Sequence, residues 1–265
     1  MSMFGSERRR QIAELVEAQE RASVAELASR FRVSVVTIRK DLVRLEAERV
    51  LMRVHGGAIL AAGEASRRGH GDSEPAFQLR ERIQQAEKAA IGAAAARLIE
   101  DGDSIAVDAS TTALQVARHL HGKRELTVVT NGVRIATELA GLPGVTVLMP
   151  GGRLRWEALS LVGTWGESML GRINIQKALV GAVGLTIEEG LTDVTEEEAE
   201  VKRALIDGAR QVVALIDHTK WGRLALSTFC PIERVHLVIT DARAPADMVA
   251  DVRGRGIEVR TAGAG

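Results

Sequence analysis

Apolar and polar residues alternate along this chain with two different periods. In residues 1–60 the apolar positions recur every three or four residues, which predicts short amphipathic helices. From Glu87 onward, helical stretches alternate with short runs of Val, Ile and Leu that predict strands. Continuous apolar strands between helices are typical of a largely parallel sheet covered on both faces. The pattern therefore predicts a helical head followed by an α/β body.

Two short helices are predicted in the head, separated by only a few residues. Ser23 is placed to cap the first helix and Ser34 to cap the second. The second helix carries Ile38, Leu42 and Leu45 on one side, at a spacing that repeats with the helical turn. Two helices joined this closely predict a helix-turn-helix.

The outward side of the second helix mixes apolar, hydroxyl and basic side chains. Apolar and hydroxyl tips suit thymine methyl groups and base edges in the major groove, while cationic groups suit guanine or phosphate. A glycine-closed β ribbon over residues 50–57 follows and is predicted to be a wing that reaches DNA backbone or minor groove. The predicted DNA-contacting residues are Ser34, Val35, Val36, Thr37, Arg39, Lys40, Arg44, Arg53 and His55. The alternative interpretation is an amphipathic helical hairpin with ordinary surface charges.

Several motifs of the head carry a family resemblance: Glu7-Arg8-Arg9, Val24-Ala25-Glu26-Leu27-Ala28, Val33-Ser34, Thr37-Ile38-Arg39-Lys40-Asp41-Leu42 and Arg53-Val54-His55-Gly56-Gly57-Ala58. Together they resemble the amino-terminal signature of the DeoR family of bacterial transcriptional regulators. The family usually has arginine where Lys40 stands, and lysine lacks the bidentate fork of arginine. It also usually has glycine just before the wing, where this chain has Arg49-Val50. These departures bear on the operator sequence and not on the mode of binding.

Length and charge agree with two separate modules. A chain of 265 residues with 46% apolar residues has room for two folded domains. Net charge is zero, but residues 1–60 hold eleven Arg or Lys against eight Asp or Glu. A modestly basic head on a slightly acidic body suits a DNA reader with a regulatory body. The predicted bounds are residues 1–60 for the head, 61–86 for a linker with a helical segment, and 87–265 for the body.

A further helix is predicted ahead of these two, opened by Ser6 and Glu7, and three arginines, Arg8, Arg9 and Arg10, crowd its start. Positive charge at that end opposes the helix dipole. They are predicted either to contact an anion such as phosphate or to form a solvated basic face, and the sequence does not decide between these.

A single cysteine and the absence of long apolar runs exclude several classes. Cys230 alone cannot form an internal disulfide or a multi-cysteine metal site, and it is predicted to be a small buried hydrophobe. No stretch approaches the roughly 20 apolar residues that span a bilayer. The first ten residues lack the apolar core of a signal peptide. We expect a cytoplasmic protein without membrane partner, metal or cofactor.

Polar turns follow several of the predicted strands in the body. The strand that ends at Val107 runs into Asp108, Ser110, Thr111 and Thr112, where a helix begins. Hydroxyl groups and backbone N–H groups at the start of a helix favour an anion. The alternative interpretation is a helix cap without a ligand.

Other predicted strands end in comparable turns. One ends in Thr130-Asn131-Gly132 and another in Gly151-Gly152, where missing side chains allow the backbone to approach a ligand. Glu198 and Lys202 lie four residues apart on a helix, which alone is typical of a surface ion pair, and Lys220 follows a later strand. Ligands of parallel sheets bind beyond the carboxyl ends of the strands. The set therefore favours a small phosphorylated sugar or polyol.

The same turns, across about residues 80–260, resemble the carboxy-terminal sensor domain of the DeoR family. That sensor is similar in fold to ribose-5-phosphate isomerase and glucosamine-6-phosphate deaminase, and the resemblance implies a phosphorylated sugar or related metabolite as effector. It implicates Asp108, Ser110, Thr111, Thr112, Thr130, Asn131, Gly152, Glu198, Lys202 and Lys220. One departure is Gln176-Lys177, where many members have aspartate before the lysine.

The main functional hypothesis is a repressor of a sugar or polyol operon that binds operator DNA and is controlled by the effector. A dimer or tetramer is expected, because one winged domain covers only a half-site. A second hypothesis is a sugar-phosphate isomerase or deaminase fused to a DNA-binding head. No acid–base set is assembled for such chemistry, so no catalytic residue is predicted. A third hypothesis is a DNA-binding or architectural protein that senses no metabolite.

Overall fold

The computed structural model describes residues 5–19, 21–47, 50–54, 57–60 and 77–263. The chain divides into two compact units, residues 1–75 and residues 76–265. The described elements of the first unit are α1 (Gly5–Gln19), β1 (Arg21–Ser23), α2 (Val24–Phe31), α3 (Val35–Ala47), β2 (Leu51–Val54) and β3 (Gly57–Leu60).

In the first unit, helices α1, α2 and α3 pack beside a small antiparallel sheet of order β1-β3-β2. Ile12, Leu27, Ile38 and Leu42 form its fully buried core. These are the apolar positions at helical spacing, so burial of one stripe per helix accounts for the arrangement. The pair β2–β3 directly follows α3 and forms the wing. The predicted winged helix-turn-helix is confirmed.

Serine side chains cap the starts of α2 and α3 and so fix where each helix begins. The Ser23 hydroxyl accepts from the Glu26 backbone N–H at 3.1 Å, and the Glu26 carboxylate accepts from the Ser23 N–H at 2.8 Å. This reciprocal capping box fixes the start of α2. Helix α2 ends at Arg32, whose φ of 51° is left-handed. The Ser34 hydroxyl then accepts from the Thr37 N–H at 3.1 Å and starts α3.

The second unit consists, within its described residues, of a large sheet, two smaller sheets and flanking helices. Its elements are α4 (Phe77–Arg82), α5 (Gln85–Ala96), β4 (Ser104–Val107), α6 (Thr111–Ala117), β5 (Leu126–Val129), α7 (Val133–Leu139), β6 (Val145–Leu148), β7 (Arg153–Arg155), β8 (Ser160–Val162), α8 (Glu167–Leu170), β9 (Ile175–Gly181), β10 (Gly184–Thr186), β11 (Gly190–Asp193), α9 (Glu196–Asp207), β12 (Ala209–Leu215), β13 (Ser227–Cys230), β14 (Leu237–Thr240), α10 (Ala246–Gly254) and β15 (Glu258–Thr261).

Seven parallel strands form the central sheet in the order β15-β14-β12-β9-β4-β5-β6. Successive residues face opposite layers: Ala178 and Val180 join one apolar core, and Leu179 joins the other. Burial on both faces explains the continuous Val, Ile and Leu runs. The predicted parallel α/β body is confirmed.

Two smaller sheets were not predicted from the sequence. Strands β10, β11 and β13 form an antiparallel sheet, and β7 and β8 form a hairpin. Each of these strands has only three or four residues, several of them glycine or polar, so the apolar pattern is too short to mark them.

Helix α4 belongs to the second unit, although the sequence assigns its residues to a linker. Phe77 is 1% exposed and lies in one of the two apolar cores, and its N–H donates to the Glu157 carbonyl at 2.9 Å. Glu81 pairs with Arg118 of α6 at 2.6 Å. Leu79 is also buried, so α4 has an apolar face packed on this unit. The rest of the predicted linker, residues 61–76, lies outside the described residues.

Candidate functional site

Helix α3 presents an exposed side of mixed apolar and basic character. Val36 is 60% exposed, and Val35, Arg39 and Lys40 are exposed with it. Ile38 is fully buried on the opposite side of α3, whereas Val35 and Val36 are exposed to solvent. Exposed apolar side chains beside basic ones are typical of a surface that contacts a partner. The sequence interpretation missed Val43, which is 47% exposed and lies one turn after Arg39.

The remaining predicted DNA-contacting residues have different positions. Ser34 and Arg44 are exposed and Thr37 is half-buried. The backbone of Arg53 lies in wing strand β2, and His55 lies outside the described residues. A role in DNA contact stays a prediction for the whole set.

The crowded arginines at the start of α1 are paired with carboxylates of the head. Arg8 Nε lies 2.6 Å and Arg9 Nη1 3.5 Å from the buried carboxylate of Asp41 on α3, and Arg10 pairs with Glu7 at 2.5 Å. These pairs offset the unfavourable position of the charges at the helix start. They also fix α1 against α3.

A buried ionic cluster lies at the carboxyl ends of β4 and β9, which are neighbouring strands. Lys202 Nζ lies 2.8 Å from Asp108 Oδ2 and 2.6 Å from Asp193 Oδ2, and it donates to the Gly181 carbonyl at 2.8 Å. Asp108 is fully buried, and its other oxygen accepts from the Gly181 N–H at 3.1 Å. Lys202 Nζ thus lies within 2.8 Å of three oxygens, although Asp108 Oδ2 has no hydrogen-bond partner of good geometry among the described residues. We refer to Lys202, Asp108 and Asp193 as the buried triad.

Burial and pairing act in opposite directions on this triad. Burial alone would lower the pKa of the Lys202 ammonium, but Asp108 and Asp193 raise it above its ordinary value. Burial alone would raise the pKa of Asp193, but Lys202 and the Val194 N–H lower it below the ordinary range. Lys202 and Asp193 are therefore charged near neutral pH, as expected for buried charges that compensate each other.

Glu198 faces different partners from Lys202, although both lie on α9. Its carboxylate accepts from Arg155 at 3.0 Å and from the Ser160 hydroxyl, both on the β7–β8 hairpin. Glu198 is 2% exposed, and this burial raises the pKa of its carboxyl. The alternative of a surface Glu198–Lys202 ion pair is wrong, because both side chains are buried and their printed partners lie on other elements.

The hydroxyl loop between β4 and α6 adjoins the triad. Ser110 caps α6 by accepting the Ala113 N–H at 3.1 Å, and its own N–H donates to Asp108 Oδ1 at 3.3 Å. Thr111 and Thr112 are each 5% exposed. Gly181 packs against this loop, since an added Cβ would lie 2.5 Å from the Ser110 hydroxyl. The helix-cap interpretation is therefore correct for Ser110, and an anion-binding role for the loop stays a prediction.

The turn after β5 contributes an acceptor to the same edge. Thr130 Oγ1 accepts from the Gly132 N–H at 3.0 Å. Asn131 is fully buried, and its Nδ2 donates to the Leu161 carbonyl at 3.3 Å. Its Oδ1 has no hydrogen-bond partner among the residues that the structure describes. A buried acceptor of this kind is costly unless a donor reaches it, and an effector hydroxyl would supply one.

Gly152 has a structural reason for lacking a side chain. Its φ is +124°, and an added Cβ would lie 2.5 Å from the Val162 carbonyl of β8. The close approach that the sequence analysis expected between this backbone and a ligand is, in the structure, an approach to a neighbouring strand.

Lys220 lies in the turn after β12. Lys220 is half-buried, and this burial lowers the pKa of its ammonium. The Asp217 carboxylate raises that pKa, whereas the charges of Arg223 and Arg80 lower it further. Arg80 also helps to lower the pKa of Asp193.

Four residues that contact the predicted site residues are absent from the sequence-based set: Asp193, Gly181, Arg155 and Ser160. Asp193 closes the Gly190-Leu191-Thr192-Asp193 run, so its position just before α9 was the available signal. Arg155 and Ser160 lie on the unpredicted hairpin, where no comparable pattern marks them.

A winged helix-turn-helix and a parallel α/β unit with a charged strand-end site define a DNA-binding regulator with a sensor domain. Sequence models of two domains match: the DeoR-like helix-turn-helix domain over residues 8–63 and the DeoR C terminal sensor domain over residues 83–242. The chain belongs to the DeoR family of transcriptional regulators.

Relatives match along nearly the whole chain. The HTH-type transcriptional regulator GolR of Listeria innocua is 35% identical over 260 residues, covering 98% of this chain and 100% of that protein. The HTH-type transcriptional repressor GlcR of Bacillus subtilis is 34% identical, covering 97% and 96%. Among solved structures, ribose 5-phosphate isomerase A of Methanocaldococcus jannaschii matches with a TM-score of 0.37 and 15% identity over 52% of this chain and 54% of that one.

The described residues contain no helix long and apolar enough to span a membrane. Within the same ranges, no group of three or more His, Cys, Asp or Glu side chains is arranged to hold a metal ion. Cys230 is buried, and burial raises the pKa of its thiol to about 11, which makes it a poor nucleophile.

Proposed function

We propose that this regulator represses a sugar or polyol operon in the cytoplasm and is controlled by a phosphorylated sugar bound at the strand ends of its sensor domain. The observation that carries the proposal is the buried triad with its surroundings. Fully buried charges are costly to retain in a fold, and a hydrophobic replacement is often as stable. Their position beside a hydroxyl loop and a buried free acceptor fits a polar ligand.

The surroundings of the triad divide into two chemical types. Thr111, Thr112 and the backbone of their loop can donate to phosphate oxygens, and Lys220 adds a positive charge. Asp193 and the Asn131 Oδ1 are acceptors that suit sugar hydroxyls. A molecule with a phosphate at one end and hydroxyls along its length would use both types.

The charge states support sensing over catalysis. An isomerase or deaminase needs a base whose pKa is close to the working pH. The pKa of Asp193 is lowered, which makes it a weak base. The pKa of Glu198 is raised, but its carboxylate is engaged by Arg155 and Ser160. We therefore infer that the chain is not an enzyme.

On the DNA side, we propose that α3 enters the major groove. Val35 and Val36 would contact thymine methyl groups, Arg39 would contact a base edge, and Lys40 and Arg44 would contact phosphates. Two or more copies would bind together, because one head covers a single half-site. The effector would change the spacing of the heads, and it can do so only if it binds the two arrangements with different affinity.

A thermal-shift screen tests the sensor part. Phosphorylated pentoses, hexoses and polyols are compared with their unphosphorylated forms at equal concentration. A bound ligand raises the melting temperature by mass action, and a concentration 100 times Kd is worth about 2.7 kcal/mol. We expect at least one phosphorylated compound to stabilise the wild type, while its unphosphorylated form does not.

The matched variant replaces both hydroxyls of the loop, Thr111→Val and Thr112→Val, which keeps the side-chain shape. The shift should be lost in this variant. An equal shift in wild type and variant, or stabilisation by the unphosphorylated compounds alone, would contradict a phosphate site at this loop.

A further inference from the structure

Large apolar side chains are exposed at two short segments of the sensor domain. Leu154 lies on β7 and Trp156 directly follows that strand, and their side chains are 41% and 66% exposed. Leu224 and Leu226 lie in the loop before β13 and are 61% and 81% exposed. In the part of this domain that the structure describes, the exposed large hydrophobic residues are these four. We refer to Leu154, Trp156, Leu224 and Leu226 as the apolar rim.

Both segments of the apolar rim adjoin the start of α9. Arg153 of β7 donates to both carboxylate oxygens of Glu197, at 2.6 and 2.7 Å. Arg203 of α9 donates to Glu196 at 2.6 Å and to the Thr228 carbonyl of β13, also at 2.6 Å. Because Glu196 and Glu197 are consecutive residues, the two segments approach the same helical turn. Exposed apolar side chains gathered in one region are typical of a surface that contacts a partner.

The apolar rim also borders the buried triad. Leu226 is followed by Ser227, which pairs with Asp193 in the small antiparallel sheet. On the hairpin, Arg155 reaches Glu198 at 3.0 Å. A partner seated on the rim would therefore lie beside the edge of the sheet that holds the triad.

The two segments of the rim carry charges of opposite sign. Glu157 is exposed next to Trp156, and Arg223 is exposed next to Leu224. A surface that binds a second copy of itself about a two-fold axis must be self-complementary, because residue i of one copy meets residue j of the other and the reverse also holds. Here the acidic segment with its tryptophan can face the basic segment with its leucines, and the contact then forms twice. A nucleic acid or an anionic membrane would instead favour a surface of one positive sign.

We propose that the apolar rim is the surface through which the sensor domains of two copies of this chain associate. Trp156 of one copy packs on Leu224 and Leu226 of the other, and Glu157 lies opposite Arg223. An aromatic side chain among leucines suits the buried centre of a homodimer interface, which is more apolar than the rest of a protein surface. The inference rests on the proposed function in one respect, since the paired binding of operator DNA needs two copies.

Sedimentation equilibrium of the full chain, without DNA, tests the interface. The test variant is Leu226→Glu, and the matched control is His121→Glu, which places a carboxylate at an exposed position between α6 and β5. Both positions are exposed, so both variants should fold, which circular dichroism checks. Loss of a central interface residue typically weakens association about 30-fold or more, and in a symmetric pair the change occurs twice. We therefore expect the dissociation constant of the pair to rise at least about 30-fold in Leu226→Glu and to stay within about twofold of the wild type in His121→Glu.

A charge exchange tests the facing of the two segments. Glu157→Arg and Arg223→Glu each place like charges opposite each other, so each should weaken association several-fold. The double variant restores opposite charges and should associate more tightly than either single variant. Losses that simply add in the double variant would overturn the facing arrangement. If Leu226→Glu does not fold, this exchange decides the proposal.

The remaining outcomes are equally distinct. A wild type that is monomeric at every concentration, wild-type association in a folded Leu226→Glu, or an equal loss in His121→Glu would overturn the interface. So would dissociation caused by Val36→Glu on α3 and not by Leu226→Glu, because it would place the contact on the DNA-binding head. The thermal-shift screen for sugar phosphates does not depend on these results, so failure of the interface would leave the proposed effector site untouched.

Discussion

Replacing Lys202 with methionine tests the buried triad most severely. The substitution keeps a long side chain but removes the ammonium that lies 2.8 Å from Asp108 Oδ2 and 2.6 Å from Asp193 Oδ2. Removing one partner of a buried ion pair typically costs about 3–5 kcal/mol, because the remaining charge stays buried without compensation. We expect a loss of that size in the free energy of unfolding of the sensor domain at pH 7.

The pH dependence gives a second signature. In the wild type, the lowered pKa of Asp193 contributes stability above about pH 4 that is lost only as pH falls through its folded value. The raised pKa of Lys202 contributes stability that is complete below about pH 10 and is lost as pH rises through its folded value. Asp193 and Lys202 therefore add no pH dependence between these limits.

Without Lys202, burial favours the protonated form of the Asp193 carboxyl in the folded domain, because the cation that lowers its pKa is gone. In this variant the folded chain binds more protons than the unfolded chain. Its free energy of unfolding therefore falls as pH rises above about 4, by up to about 1.4 kcal/mol per pH unit for each proton taken up on folding. The deficit relative to the wild type should therefore be larger at pH 8 than at pH 5.

Tryptophan fluorescence during urea unfolding measures this domain selectively, since all three tryptophans, Trp156, Trp165 and Trp221, lie after residue 76. Lys177→Met is the control. Its ion pair with Asp103 is 2.6 Å long, and its side chains are 19% and 9% exposed against 5% and 0% for Lys202 and Asp108, so we expect a smaller loss than for Lys202→Met. A Lys202→Met loss no larger than the control, with no difference between pH 5 and pH 8, would refute the reasoning.

Three further substitutions test other parts of the structure. Gly181→Ala places a methyl group 2.5 Å from the Ser110 hydroxyl and should destabilise the sensor domain by about 1–3 kcal/mol, measured by the same urea unfolding; an unchanged midpoint would contradict the packing. Ser23→Ala removes the capping box and should speed hydrogen exchange of the α2 amides by an amount equivalent to about 1 kcal/mol, whereas unchanged exchange would count against the cap. Asp41→Asn breaks the pair with Arg8 and should cost the head about 1–3 kcal/mol, seen as faster exchange in α1; equal protection in both proteins would contradict it.

The regular part of the fold follows from local patterns in the sequence. Strands β4 and β5 are short, mainly apolar runs buried inside the sheet, and β6 is a mainly apolar edge strand that is only partly buried. Runs of this kind predict strands from the sequence alone. The caps of α2 and α3 were predicted because Ser23 and Ser34 act on the backbone three residues later. Interactions within a few residues can be inferred from sequence alone.

The irregular parts depend on contacts between distant residues. Thr192 of β11 pairs with Thr228 of β13, and no local pattern in either strand indicates the other. Sequence spacing placed Glu198 and Lys202 on one helix but could not show their partners. Lys202 reaches Asp108, 94 residues earlier in the numbering, only because β4 and β9 are neighbours in the sheet. Residues at predicted strand ends could therefore be proposed from the sequence, and residues on the unpredicted hairpin could not.

The claim that one chain couples DNA binding to a phosphorylated ligand is tested most directly by fluorescence anisotropy. A labelled duplex selected from a random library by this protein is titrated with wild-type chain, with and without the sugar phosphate identified in the thermal screen. We expect the ligand to change the Kd for this duplex at least tenfold in the wild type and to leave it unchanged in Thr111→Val, Thr112→Val. An identical wild-type Kd with and without saturating ligand would contradict the account.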